Sequence, residues 1–254
     1  MITVGLVQAD IKAYNKKGNI AHYSEWLKET IKEPVHLLIF PEMFHCGFSP
    51  DIQKDAEPHN GDSLYFLYLT AHEFQCDVVA TLPILYNNIL YNRLVWLSRD
   101  RILGQYDKHH LFMGEEEFFT PGTGKTIVNT LGYKFLPLTC FDIRFPEWSR
   151  NRVVNGHFDY DCLVYTANFP APRESELLSL ARARAIENQA YTIVVNRVGT
   201  DGYQRRYAGG SAFINAHGEI EAQTTAGKEE ILIHSCDIDA VKTLREQFPV
   251  SKYW

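Results

Sequence analysis

The chain has no apolar run of membrane-spanning length and no basic leader segment; Met1-Ile2-Thr3-Val4-Gly5-Leu6 enters a strand directly. It has no basic patch and no acidic tail. Its formal net charge of −6 is interspersed, which argues against nucleic-acid and membrane partners. Cysteine is sparse: Cys46, Cys76, Cys140, Cys162 and Cys236 are odd in number and form no CxxC pair. Reduced thiols in a cytoplasmic protein are the simplest reading. No GxxxxGK[ST] loop and no metal-spaced ligand set occurs, so neither cofactor nor metal is expected. No repeat, low-complexity stretch or Gly/Ser linker divides the chain. With 45% hydrophobic residues over 254 positions it can bury a large core, and residues 1–254 read as a single domain.

What is present is an alternation of strand and helix signals. Ile2–Ala9 reads as a strand, and Asn19 as the cap of a helix over Ile20–Lys32. His36–Phe40 is a continuous apolar strand ending in Pro41-Glu42-Met43-Phe44. After a second helix opening at Asn60-Gly61-Asp62-Ser63, Asp77–Leu82 is a strand. Asn92–Leu97 and Ile102–Tyr106 form a hairpin. Tyr133–Thr139 is a buried strand that stops at Cys140, and Phe145-Pro146-Glu147 opens a helix. Asp161–Tyr165 and Thr192–Asn196 are strands around a helix over Glu174–Asn188, with Leu177, Ala181 and Ala185 as its packing stripe. Ser211–Ile214, Glu230–Cys236 and a helix over Asp237–Gln247 complete the chain. The mixture predicts an α/β fold with mixed sheets.

Three polar residues follow strands: Glu42, Lys108 and Cys140. A lone cysteine at a strand end is usually packing. Together with a carboxylate and an ammonium at neighbouring strand ends, however, it can form a covalent thioester from an amide. Glu42 would move the protons. Lys108, with the Phe141 N–H, would stabilise the oxyanion. The strand-to-helix corner predicts helix N–H groups that favour the Cys140 thiolate. His109 and His110 are adjacent on what reads as an extended segment, so they are expected to point apart rather than bind metal.

Phe40-Pro41-Glu42, Tyr106-Asp107-Lys108-x-His110-Leu111-Phe112 and Cys140-Phe141-Asp142-Ile143-Arg144-Phe145-Pro146-Glu147 resemble the three motifs of the nitrilase superfamily of carbon–nitrogen hydrolases. Ala183–Gln189 and Gly210-Ser211 add to the likeness, which covers nearly the whole chain. The resemblance implies a four-layer αββα sandwich, a Glu42–Lys108–Cys140 triad and a homodimer. It also implies a second pocket glutamate, assigned to Glu115 by counting back from Pro121-Gly122, with Glu116 and Glu117 as alternatives.

Met43–Phe48, Ala167–Arg173 and Asn196–Gly202 look most like the bacterial omega-amidase branch. That implies hydrolysis of small-molecule amides such as 2-oxoglutaramate and 2-oxosuccinamate. Phe141 stands where Tyr is usual and Phe169 where Trp is usual, and the tail after Phe248-Pro249 is short. Phe44, Phe141, Asn168 and Phe169 are expected to line the pocket. Arg144 is a candidate to hold a substrate carboxylate in a two-pronged contact; an ion pair with Glu147 or Asp142 is the competing reading. Cys46 reads as a packed bystander. Other nitrilase-superfamily hydrolases, acting on nitriles, carbamoyl compounds or peptide-like amides, are the alternatives. A non-catalytic thiol protein of the same fold is a further one.

Overall fold

The computed structural model describes every residue, Met1–Trp254. Two six-stranded sheets lie face to face. The first runs, edge to edge, Glu230–Cys236, Ile2–Gln8, Leu37–Ile39, Asp77–Tyr86, Ile89–Leu97 and Ile102–Asp107. The second runs Ile220–Gln223, Ala212–Ile214, Tyr191–Val195, Cys162–Thr166, Tyr133–Thr139 and Val128–Thr130. Each has a parallel three-stranded centre and antiparallel flanks. The parallel strands are buried on both faces, which is why they are the unbroken apolar runs of the sequence.

Helices cover the outer faces. Tyr23 and Leu27 of helix Lys16–Thr30, with Leu64, Leu67 and Ala71 of helix Asp62–Phe74, pack on the first sheet. Leu177, Ala181 and Ala185 of helix Glu174–Asn188 join the core of the second sheet. Val4, Leu6, Trp96, Phe135 and Val164 belong to the same large core, into which both sheets contribute. This is an αββα sandwich. No helix is long and apolar enough to cross a membrane.

Several boundaries differ from the sequence reading, for identifiable reasons. The first helix starts at Lys16 instead of Ile20. Asn19 sits inside it, its buried side chain accepting from the Lys12 N–H at 3.0 Å and donating to the Lys12 and His45 carbonyls at 2.8 and 2.9 Å. It ties loops to the helix and caps nothing. The Asp77 strand runs on to Tyr86 and turns at Asn87-Asn88, both with positive φ, into a strand that begins at Ile89. Asparagine tolerates that left-handed geometry, which suits a tight hairpin. Pro83 is accommodated because its carbonyl side faces Glu57, leaving the hairpin ladder intact.

Candidate active site

Glu42, Lys108 and Cys140 come from three different strand ends and meet in one cavity of about 200 Å³. Glu42 lies three residues past strand Leu37–Ile39, where its N–H donates to the Ala167 carbonyl at 3.4 Å across the seam between sheets. Lys108 follows strand Ile102–Asp107 directly. Its N–H donates to the Asn92 carbonyl at 2.9 Å, while the preceding Asp107 is gripped by both arms of Arg93 at 2.7 and 2.8 Å. Cys140 follows strand Tyr133–Thr139 at φ 47°, a left-handed conformation that a side chain rarely adopts. Such strain persists only where the surroundings over-determine it.

The charged groups are interlocked. The Lys108 Nζ donates to Glu42 Oε1 at 2.9 Å and to Glu115 Oε1 and Oε2 at 3.0 and 2.7 Å. Glu42 Oε1 also accepts from Asn92 Nδ2 at 2.8 Å, and Oε2 accepts from the Asn168 N–H at 2.9 Å. Glu115 opens a short 3₁₀ turn and takes the Phe112 N–H at 2.7 Å. Of the three consecutive acids it alone is buried; Glu116 and Glu117 are exposed. The ammonium–carboxylate cluster is therefore held rigidly away from bulk water.

Electrostatics follow from that burial. Desolvation works against the Lys108 ammonium, but Glu115 and Glu42 outweigh it and hold its pKa well above the ordinary lysine value. Burial pushes Glu115 up to about 7, against the pull of Lys108 and with help from Glu42. Burial, reinforced by Glu42, likewise keeps the Cys140 thiol well above its usual range. The expectation of helix-favoured thiolate is thus overturned. Cys140 enters a 3₁₀ turn, Cys140–Arg144, and the helix beyond it is one turn long, Pro146–Ser149. So short a helix has little dipole to offer. The resting sulfur is a thiol beside a carboxylate.

The Cys140 corner and the Lys108 strand are clamped together by side chains to which the sequence reading gave no such role. Asp142 is fully buried. Its Oδ2 accepts from Tyr106 Oη at 2.7 Å and the Thr139 N–H at 3.0 Å; its Oδ1 meets the His110 N–H at 3.0 Å and His110 Nδ1 at 2.8 Å. Trp148 Nε1 donates to Tyr106 Oη at 3.0 Å. The His109 and His110 rings do not diverge: the backbone turns here, bringing their centroids to 4.5 Å. His109 stacks on Trp148 at 3.8 Å and His110 on Phe145 at 3.6 Å. Tyr106 and Asp142 lie inside the quoted motifs, which was the available signal.

Of the residues expected to line the pocket, four border the cavity and one does not. Phe141, Arg144, Asn168 and Phe169 face the cavity. Phe44 does not. Met43 has φ 51°, which turns the chain so that Phe44 packs in the outer core against Tyr23, Phe40 and Phe66. Phe48 takes the wall instead, with Lys108 Nζ 5.9 Å from its ring centre. Arg144 pairs with Glu176, neither Glu147 nor Asp142. Cys46 packs with Met43, Ile52 and Phe119.

A two-sheet sandwich carrying a glutamate, a lysine and a cysteine at its strand ends has the architecture of the nitrilase superfamily. The chain belongs to the carbon–nitrogen hydrolase family, whose model matches residues 3–246. It is 33% identical to the omega-amidase YafV of Yersinia enterocolitica, over 96% of this chain and 93% of that protein. It is 29% identical to the 2-oxoglutaramate amidase of Bacillus subtilis, over 98% and 95%. Among solved structures, XC1258 of Xanthomonas campestris, a CN-hydrolase superfamily protein with an arsenic adduct in its active site, superposes with a TM-score of 0.95. It is 30% identical and the match covers 100% of this chain and 97% of that one.

Proposed function

We propose that the protein is an omega-amidase. It hydrolyses the terminal amide of short 2-oxo acid amides, 2-oxoglutaramate and 2-oxosuccinamate, to the 2-oxo dicarboxylate and ammonia. The observation that carries this reading is the Lys108 ammonium within 3.0 Å of two buried carboxylates, Glu42 and Glu115, in one cavity with the strained Cys140. A cavity of about 200 Å³ suits a short substrate better than a peptide-like one. The similarity to an omega-amidase and to a 2-oxoglutaramate amidase supports the choice of amide.

In this reading Glu42 takes the Cys140 proton as Sγ attacks the amide carbon. The carbonyl electrons move to oxygen, and Lys108 and the Phe141 N–H stabilise the oxyanion. The intermediate collapses with cleavage of the C–N bond. Glu42 gives its proton to the leaving nitrogen, releasing ammonia and leaving a thioester. A water then loses a proton to Glu42 and attacks the thioester. The second oxyanion collapses with cleavage of the C–S bond, and the sulfur recovers its proton from Glu42. Glu115 holds Lys108 through both of its carboxylate oxygens. A homodimer in a reducing cytoplasm belongs to the same reading, resting on the family likeness and on five free, buried cysteines respectively; a monomer by light scattering at micromolar concentration would remove the first.

The test is a panel of amides scored by ammonia release. The 2-oxo acid amides should lead, with simple aliphatic amides far behind and nitriles and carbamoyl compounds negligible. Mass spectrometry with a slow substrate should find the acyl adduct on Cys140, and Cys140→Ala should abolish turnover. Acetamide or a nitrile turned over as efficiently as 2-oxoglutaramate would sink the reading, as would an adduct on Cys46.

A further inference from the structure

We infer that Arg173 is the specificity-determining residue that grips the substrate's far carboxylate, a role Arg144 is too committed to fill. The inference rests on the amidase reading above and deepens it. A short acid amide offers little apolar area, so its charged end must supply the selectivity. The cavity wall carries three arginines, Arg144, Arg173 and Arg205, and they differ in how they are occupied. Arg144 is in an ion pair with Glu176. Arg205 is exposed and lies against Tyr203, 4.6 Å from the ring centre.

Arg173 is the one that is both sheltered and free. No hydrogen bond or ion pair engages its guanidinium, and its Nε is buried without a partner. A buried N–H left unsatisfied is costly, and in a cavity wall a ligand oxygen would relieve that cost. Two rings hold the group in place: its central carbon lies 4.8 Å from the Phe112 ring centre and 5.7 Å from that of Phe169. Contact with aromatic rings favours a cation and displaces its hydration. The guanidinium fork remains available for a carboxylate.

The backbone beneath Arg173 is fixed as well. Pro170 and Pro172 restrict the loop, and the Arg173 N–H donates to the Pro170 carbonyl at 2.9 Å. The Phe169 N–H donates to Asn196 Oδ1 at 2.8 Å, and Asn196 Nδ2 returns a bond to the Phe169 carbonyl at 3.0 Å. One residue earlier, the Asn168 N–H holds Glu42 at 2.9 Å. The same rigid loop therefore holds both the Glu42 carboxylate and the Arg173 guanidinium in the lining of one cavity. A substrate bridging the two would have its length measured by a preorganised ruler.

The experiment compares glutaramate with glutaramide, which replaces the far carboxylate by a neutral amide, on wild type, Arg173→Met, Arg173→Lys and Arg144→Met. The readout is the ratio of kcat/KM values for the two substrates. Arg173→Met should lower that ratio about 100-fold, chiefly through KM for glutaramate, as loss of a charged hydrogen-bonded pair does. Arg173→Lys keeps the charge without the fork and should fall in between. If Arg173→Met fails to fold, an unchanged ratio in Arg173→Lys overturns the inference. So does an unchanged ratio in Arg173→Met, or a larger fall in Arg144→Met. Calorimetric titration of the same proteins with glutarate separates this from the amidase reading. If wild type releases no ammonia from these amides, a glutarate Kd weakened about 100-fold in Arg173→Met still supports the anchor. An equal Kd, or no glutarate binding to wild type, overturns it.

Discussion

Asn168 holds Glu42 at both ends. Its backbone N–H donates to the Glu42 carboxylate at 2.9 Å, and its side-chain amide donates to the Glu42 carbonyl, also at 2.9 Å. The first bond aims the carboxylate; the second fixes the backbone that bears it. Asn168→Ala keeps the first and removes the second. A neutral hydrogen bond contributes about 1 kcal/mol, and a base displaced by a fraction of an ångström loses more. The variant should lose roughly 10-fold in kcat with a smaller change in KM. A kcat equal to wild type would mean that the remaining bonds, from the residue 168 N–H, Asn92 and Lys108 to the carboxylate and from the Glu42 N–H to Ala167, suffice to hold Glu42.

Glu42 and Lys108 share a hydrogen bond and, in the proposed chemistry, one transition state. Removing a positioned base costs ~10²–10⁴-fold, and removing an oxyanion donor costs roughly 3–4 kcal/mol. Groups that act as a unit do not add. The Glu42→Gln, Lys108→Ala double variant should therefore be little slower than the poorer single one. Steady-state kcat/KM for the four proteins closes the cycle, and fully multiplicative losses would show that the two residues work separately.

Which parts of this were legible in the sequence has a physical pattern. Strand Tyr133–Thr139, helix Glu174–Asn188 and strand Glu230–Cys236 match their readings because one apolar pattern fills each of them. Glu42, Lys108 and Cys140 were visible because strand ends in an α/β sheet converge. What was hidden depends on single backbone angles or on distant partners. Positive φ at Met43 sends Phe44 into the outer core and leaves the wall to Phe48. The partner of Arg144 is 32 residues away, beyond the reach of a spacing argument. The thiol's state was misjudged because burial, a tertiary property, outweighs the local helix end.

Glu115 gives the fold a pH dependence of predictable sign. Its folded pKa of about 7 exceeds the ordinary 4.5. Between those values the folded state holds a proton that the unfolded state has released, so stability falls as pH rises through the window. The shift corresponds to at most about 3 kcal/mol across that window, the pull of Lys108 on the carboxylate already being part of it. Glu115→Gln should remove this dependence. Melting temperatures of wild type and variant, measured from pH 5 to about pH 8, should diverge in slope. Parallel curves would mean that Glu115 is ionised throughout.

Asp142 shows how the fold secures the corner that carries Cys140. Both of its oxygens are used from a fully buried position, by Tyr106 and Thr139 on one and by His110 on the other. Two strand ends, those of Lys108 and Cys140, are thereby locked at a fixed separation. Asp142→Ala would strand buried donors from both, at a cost of roughly 3–5 kcal/mol. Tyr106→Phe keeps the other bonds to Asp142 but also leaves the Trp148 and His109 N–H groups without their acceptor, at a cost of roughly 2–4 kcal/mol. If the clamp positions Cys140 against Lys108, activity should fall further than stability explains. Tyr106→Phe, still folded at 25 °C, should then lose roughly 10-fold or more in kcat, since small displacements of reacting groups are costly. Its alkylation rate by iodoacetamide at Cys140 should change in step with kcat. Full kcat in a folded Tyr106→Phe protein would reduce the clamp to a stabilising role.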